Sequence, residues 1–339
     1  MFPINAKKRL KSTALTSLRS AGVFSIAKRS NWRRHRLLIL CYHGLSLDDE
    51  HEWLPHLFIT PECFRQRIAC LREMNAAVLP LEEALARLWS DSLPETSVVL
   101  TFDDGFFDFL RHGVPLLSDT GFPCTLYLTT HYMNRRFPIA NLTLDYLLWK
   151  SRKATARLPT HGIDSEAPIG SYAERQKVVR GILTSADAQG LSTAGKDEML
   201  RSIAEQLGVD YQAILDRRML SILSAEEVVE TARKGIDIQL HTHRHRMPAN
   251  QELFVKEIKD NRACIQELTG KTPVHFCYPS GNYSREFFPW LTECGVQSAT
   301  TCERGLATRE SDRLLLPRVL DDSVTDLPRF QSVVSGLFA

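Results

Sequence analysis

The sequence contains no run of about 18 or more apolar residues, so no part of it is long enough to cross a bilayer as a helix. It also lacks any CxxC pair. Its eight cysteines, Cys41, Cys63, Cys70, Cys124, Cys264, Cys277, Cys294 and Cys302, are scattered, and several lie inside apolar runs such as residues 37–42. This usage reads as buried thiols in a reducing, cytoplasmic compartment; a disulfide framework is the alternative that an even number leaves open. No acidic residue precedes Asp48, whereas ten Lys or Arg do. The rest of the chain carries 32 basic against 40 acidic residues, so the formal net charge of +2 averages a basic arm and a mildly acidic body. No histidine follows His275. With 339 residues, 43% of them hydrophobic, the chain can bury a sizeable core as one large α/β domain or two small ones.

The arm, residues 1–36, has Leu10, Ala14, Leu18 and Ala21 at roughly helical spacing among Lys7, Lys8, Arg9, Lys11 and Arg19. That pattern suits a helix lying on an anionic membrane surface, which would make the protein peripheral to an inner membrane; a solvated tail is the competing reading, since the apolar face is narrow. A cleaved secretory signal fits poorly. Ser25 interrupts the only short apolar run, and Lys28 and Arg29 follow at once.

From Leu37 the pattern alternates between strand and helix. Strands are expected over 37–42, 97–102, 124–128, 236–240, 274–278 and 296–300, and helices over 61–74, 81–89, 106–117, 225–234, 253–268 and 287–294. Repeated strand-then-helix units imply a largely parallel sheet, closed or nearly closed into a barrel with helices outside. Between Thr130 and Ser224 the rhythm breaks into a helical insertion, with candidates at 144–149, 172–183 and 197–207 and a Pro/Gly-bearing stretch from Pro159 to Gly170. Segments inserted after a strand end commonly serve as lids or substrate-binding elements.

Three motifs stand at expected strand ends. Thr101-Phe102-Asp103-Asp104-Gly105 sets two adjacent carboxylates before a glycine; alone it reads as an ordinary Asp-Gly turn. His241-Thr242-His243-Arg244-His245 places two imidazoles four residues apart, a spacing that converges on one ion and leaves positions for a carboxylate, water and substrate; alone it could be a solvated basic loop. Phe276-Cys277-Tyr278-Pro279-Ser280-Gly281 can aim a backbone N–H into a site, as an oxyanion hole requires, or can be a plain proline turn. In a parallel barrel all three share one rim, and their co-occurrence outweighs the bland readings.

In this order and spacing the motifs resemble those of the NodB-homology polysaccharide deacetylases, carbohydrate esterase family four, over about residues 37–320 apart from the insertion. The resemblance implies an α/β fold, a distorted, incomplete (β/α)7 barrel of the TIM-like kind with a helical insertion. It divides the chain into the arm at 1–36, a deacetylase domain at 37–322 with the insertion at 131–223, and a C-terminal tail at 323–339. It also implies that Asp103 is the general base and that Asp104, His241 and His245 bind a divalent metal; His243 is not implied as a ligand. Ser280 and Tyr278 are assigned to the oxyanion and substrate. Zinc is the default ion, and cobalt, nickel, iron or manganese would accept the same donors.

Two departures from the commoner family pattern matter. The late Leu-x-x-His motif that supplies a general acid is missing, and Cys41-Tyr42-His43-Gly44 resembles the Tyr-His segment of the subgroup serving exopolysaccharide and surface-glycan pathways, which nominates His43 as the acid; a strand-end core histidine is the alternative. The third motif's usual arginine is replaced near Cys277, and Arg318, in Leu316-Pro317-Arg318, is the candidate to orient Asp103 instead.

The expected activity is hydrolysis of N-acetyl groups on amino sugars of a polysaccharide or lipid-linked glycan. The rivals are a deformylase or other amide hydrolase acting on a glycolipid through the same site, and a catalytically silent carbohydrate-binding domain, against which the intact Asp103, Asp104, His241 and His245 argue. Nucleic acid is not an expected partner: the arm has no interleaved aromatics and the body is acidic.

Overall fold

The computed structural model describes residues 15–133 and 137–337. Seven strands, β1 (Leu38–Tyr42), β2 (Ser97–Asp104), β3 (Thr125–Leu128), β4 (Asp237–Leu240), β5 (His275–Cys277), β6 (Ser298–Arg304) and β7 (Leu316–Leu320), pair in chain order. Every pairing is parallel, and β7 returns to β1 while β1 pairs β2 over residues 38–42, which closes the barrel. A two-residue strand, Ala77–Val78, adds to the start of β2.

Successive side chains of a strand face opposite ways, and the burial follows that alternation. Leu37, Ile39, Val99, Tyr127, Cys277 and Leu316 form a compact cluster inside the barrel, plugged by Leu81, Ala84, Leu85 and Leu88 of helix α1 (Leu81–Trp89). Their neighbours Leu38, Leu40, Tyr42, Val98, Leu100 and Phe102 face the surrounding helices in the main core. Nearer the carboxyl ends of the strands, residues of the inward parity become polar: Cys41, Thr101, Asp103, His241 and Arg318 are all buried there.

Local chemistry sets the helix ends. Ser224 and Glu227 make a reciprocal cap at the start of helix α2 (Ala225–Arg233). Helix α3 (Gln251–Thr269) begins on the Asn250 side chain and stops at Gly270, which is left-handed at φ 71°. In the insertion, helices lie at Ala140–Lys150, Tyr172–Ala188 and Thr193–Leu207, and the Pro/Gly-bearing stretch folds as an antiparallel hairpin, Thr155–Leu158 with Ile163–Pro168.

Three features depart from the sequence expectation. The strand β7 carries Pro317, which cannot donate to a ladder, and it follows β6 with no helix between them, so neither alternation nor a βα repeat announces it. The segment set aside as a C-terminal tail contains a helix, Leu327–Val334, whose Phe330, Val333 and Val334 are buried, with the Arg67 guanidinium 4.8 Å over the Phe330 ring. The arm is anchored: the fully buried Arg33 donates to the carbonyls of Val334, Arg36 and Ser97, the last at 2.9 Å. Ser97 begins β2, so the arm sits at the end of the barrel opposite the strand carboxyl ends. Leu18 and Ala21 of the expected apolar stripe are exposed, as are Ile26 and Trp32; Leu10, Ala14 and the four basic residues from Lys7 to Lys11 lie outside the described residues.

Candidate functional site

At the end of β2 the inward-facing Asp103 is followed by Asp104 in the left-handed region, φ 71°, and by Gly105 at φ 90°. A side chain is excluded at Gly105, where a Cβ would lie 2.3 Å from Leu128 Cδ1. Thr242 (φ 60°), His245 (φ 55°) and Ser280 (φ 56°) share the left-handed conformation, so each of the three motifs turns sharply as its strand ends. Such non-glycine positions cost about 1–3 kcal/mol each and cluster where side chains must be aimed.

These turns bring Asp104, His241 and His245 together. Asp104 Oδ1 lies 3.2 Å from His241 Nε2 and 3.3 Å from His245 Nε2, and the three ligand atoms are within 4.8 Å of one another. The Nδ1 of His241 is 2.9 Å from the Cys277 carbonyl oxygen, which only accepts; Nδ1 therefore carries a proton and Nε2 is the atom presented to Asp104. Burial would lower the His241 pKa, but Cys277, Asp104 and Asp103 outweigh it and raise it, so a cation would have to displace a proton from Nε2. The His241 backbone N–H donates to Asn261 Oδ1 at 3.0 Å, and the Asn261 amide in turn donates to the Leu128 carbonyl and the Thr130 hydroxyl. Burial, stronger than the opposing pull of Asp104, lowers the His245 pKa and favours its neutral, ligating form. Burial alone would raise the Asp104 carboxyl, but His245 and His241 outweigh it and hold it at about 2. One carboxylate and two imidazoles, that of His241 oriented through its Nδ1, fit a divalent ion and leave positions open for water and substrate. His243 points elsewhere, with Nδ1 2.8 Å from Thr130 Oγ1.

Asp103 has a different environment. It is 2% exposed and receives a two-pronged contact from Arg318, Nη1 to Oδ1 at 2.8 Å and Nη2 to Oδ2 at 2.7 Å. Arg318 is itself held by the Thr301 carbonyl at 2.9 Å and the Thr101 hydroxyl at 3.2 Å. Desolvation pushes the Asp103 carboxyl upward; the guanidinium charge and hydrogen bonds overcome it and hold the group far below the usual carboxylate range. Asp103 also falls in ligand-like groups with His241 and Cys277 and with Cys41 and His43. A cation there would meet the Arg318 charge, so the Asp104 trio is the better metal site.

The His43 Nε2 lies 3.7 Å from Asp103 Oδ2, and its buried Nδ1 has no hydrogen-bond partner among the described residues. Tyr278 and Ser280 line the same cleft of about 460 Å³ with His43, both aspartates, His241 and His245. The Tyr278 hydroxyl is buried without a partner among the described residues, and burial raises its pKa. Arg318 lies beneath Asp103 and not in the cleft wall.

Sequence reasoning missed four contributors. Asn261 occupies the apolar stripe of α3 formed by Phe254, Ile258 and Ile265, and a polar residue at that spacing was the available signal. The thiols of Cys277 and Cys41, 3.4 and 3.7 Å from Asp103 Oδ2, carried only the signal of strand parity. Arg246, on the rim of the cleft, carried none.

Residues 90–299 match the family profile described as polysaccharide deacetylase. No curated protein sequence matches the chain. Among solved structures, the chain is similar to the Streptococcus pyogenes deacetylase PplD in complex with acetate (TM-score 0.59, 16% identity, 90% of this chain and 99% of that one). It is also similar to IcaB from Ammonifex degensii (0.55, 18%, 90% and 97%) and to a de-N-acetylase from Aggregatibacter actinomycetemcomitans (0.56, 15%, 88% and 99%). At these identities the likeness is one of fold.

Proposed function

The chain belongs to the polysaccharide deacetylase family, and on that premise we propose that it is a metal-dependent hydrolase removing N-acetyl groups from amino sugars of a polysaccharide or lipid-linked glycan. The observation that carries the reading is the joint placement, in one cleft, of the Asp104–His241–His245 trio and the arginine-held Asp103.

A divalent ion on Asp104, His241 and His245, zinc being the default and cobalt, nickel, iron or manganese also suited, would polarise the amide carbonyl and acidify water from a pKa of about 15.7 toward about 7. The protein's own groups supply the rest. Asp103, kept anionic by Arg318, accepts a proton from the attacking water as the C–O bond forms. A carboxylate so strongly stabilised is a weak base, so its part depends on the water being acidified and on fixed geometry, which the two-pronged Arg318 contact provides. His43, beside Asp103, gives a proton to the departing nitrogen as the C–N bond breaks, releasing acetate and a free amine. We assign Ser280 and Tyr278, which line the same cleft, to the carbonyl oxygen and the sugar.

The exposed apolar residues and cationic groups of the arm suit peripheral contact with an anionic membrane. That surface lies at the plugged end of the barrel, so the cleft would face away from the bilayer.

The test is acetate and amine release from N-acetylated oligosaccharides by protein stripped with a chelator and then reloaded with each ion. Activity should vanish and return, and Asp104→Asn and His241→Ala should lower bound metal. Acetate release indifferent to chelation, or no release at any loading, overturns the reading.

A further inference from the structure

Beyond His43 the chain runs as a two-residue strand, Gly44–Leu45, parallel to Phe58–Ile59. The N–H groups of Gly44 and Ser46 donate to the carbonyls of Leu57 and Ile59 at 3.0 and 2.8 Å. The N–H between them, that of Leu45, faces the other edge and has no ladder partner; it donates instead to Asp108 Oδ1 at 2.9 Å, 63 residues away. Asp108 follows the Asp103-Asp104-Gly105 turn, is 2% exposed, and forms no ion pair with a cation among the described residues. Burial raises its pKa well above the ordinary value, against the pull of the Leu45 N–H, which favours the neutral acid. The backbone here is tightly enclosed: a Cβ on Gly44 would lie 2.2 Å from the Phe58 ring and 3.2 Å from Asp108 Oδ2. The His43 ring, by contrast, has no anchor of its own. Its buried Nδ1 lacks a partner among the described residues and its Nε2 is 3.7 Å from Asp103, so the backbone on either side sets where the imidazole sits.

We propose that Asp108 is a positioning residue for His43, its carboxyl fixing the chain after β1 so that the imidazole faces Asp103 and the cleft; the catalytic consequence rests on the deacetylase reading. Without that acceptor the buried Leu45 N–H is left unpaired, and the segment shifts to satisfy it. A displacement of about 1 Å at a proton donor can cost about 10²-fold in rate. The loss falls on proton transfer to the departing nitrogen, and so on kcat, while the Asp104, His241 and His245 ligands stand on other strand ends and keep their geometry. Asparagine keeps the acceptor and the shape of the neutral acid, whereas leucine keeps only the bulk.

The test compares Asp108→Leu and Asp108→Asn with the wild type, each metal-loaded, with Asp108→Ala replacing the leucine variant should that fail to fold. In Asp108→Leu, kcat for acetate release should fall about tenfold or more with KM and bound metal unchanged, and Asp108→Asn should restore most of it. Added to His43→Gln, Asp108→Leu should change kcat by less than about twofold, because the group it positions is already gone. A second measurement needs no turnover: the rate at which diethyl pyrocarbonate modifies His43, read by mass spectrometry of its peptide, should rise several-fold in Asp108→Leu and stay at the wild-type value in Asp108→Asn. That change in reactivity with no deacetylation by any protein would keep the positioning role and sink the deacetylase reading. Equal His43 reactivity in all three proteins, an asparagine variant as impaired as the leucine one, or the same loss with and without His43 would overturn the positioning role.

Discussion

Replacing Arg318 with Met would leave the Asp103 carboxylate buried at 2% exposure with its main counter-charge removed. Two unit charges about 4 Å apart attract by about 4 kcal/mol at an effective dielectric of about 20, and removing one partner of a buried pair costs about 3–5 kcal/mol in stability. At about 1.4 °C per kcal/mol for a chain of this length, Arg318→Met should lower Tm near neutral pH by about 4–7 °C. The pH dependence has a definite sign. In the wild type the Asp103 pKa is depressed, so its contribution is full above its unfolded value of about 3.9 and is lost as pH falls toward the folded value. In the variant burial prevails and raises that pKa, so stability is lost as pH rises. The gap in Tm between the two proteins should therefore widen from pH 4 to pH 8. Circular-dichroism melts across that range measure it, and a gap that stays constant, or one worth less than about 1 kcal/mol, would refute the reasoning. Asp103→Ala added to Arg318→Met should recover part of the loss, because no charge is then stranded.

His43→Gln should lower kcat about 10²–10⁴-fold while leaving bound metal unchanged, as expected of a proton donor that is not a ligand; steady-state kinetics with metal analysis checks this, and a loss under tenfold would restrict His43 to packing. Asn261→Leu removes the acceptor for the His241 N–H and the donor to Leu128, and should cost about 1–3 kcal/mol and weaken metal affinity about 10–100-fold. Metal titration alongside thermal melts reads both, and unchanged affinity would mean that the backbone alone holds His241.

Six of the seven barrel strands were legible because strands buried on both faces carry nearly continuous apolar runs, as in 37–42 and 98–100, and helices such as Leu81–Trp89 carry a clear one-sided period. The three motifs were legible as motifs because each clusters its chemistry within six residues. Where each strand stops was less clear: β2 continues through Asp104 and β6 to Arg304, since their last residues are polar and look like loop.

The sequence by itself determined the alternating architecture, the strand-end position of the Asp103, His241 and Tyr278 segments, and the donors available for a cation, because these follow from local periodicity and residue type. Only the tertiary structure decided which groups meet. Arg318 lies 215 residues from Asp103, and Asn261 20 from His241; such contacts depend on barrel closure and on the inward parity of each strand, which no local window carries. The same holds for the arm at the plugged end, since packing across the whole barrel sets where distant surfaces face.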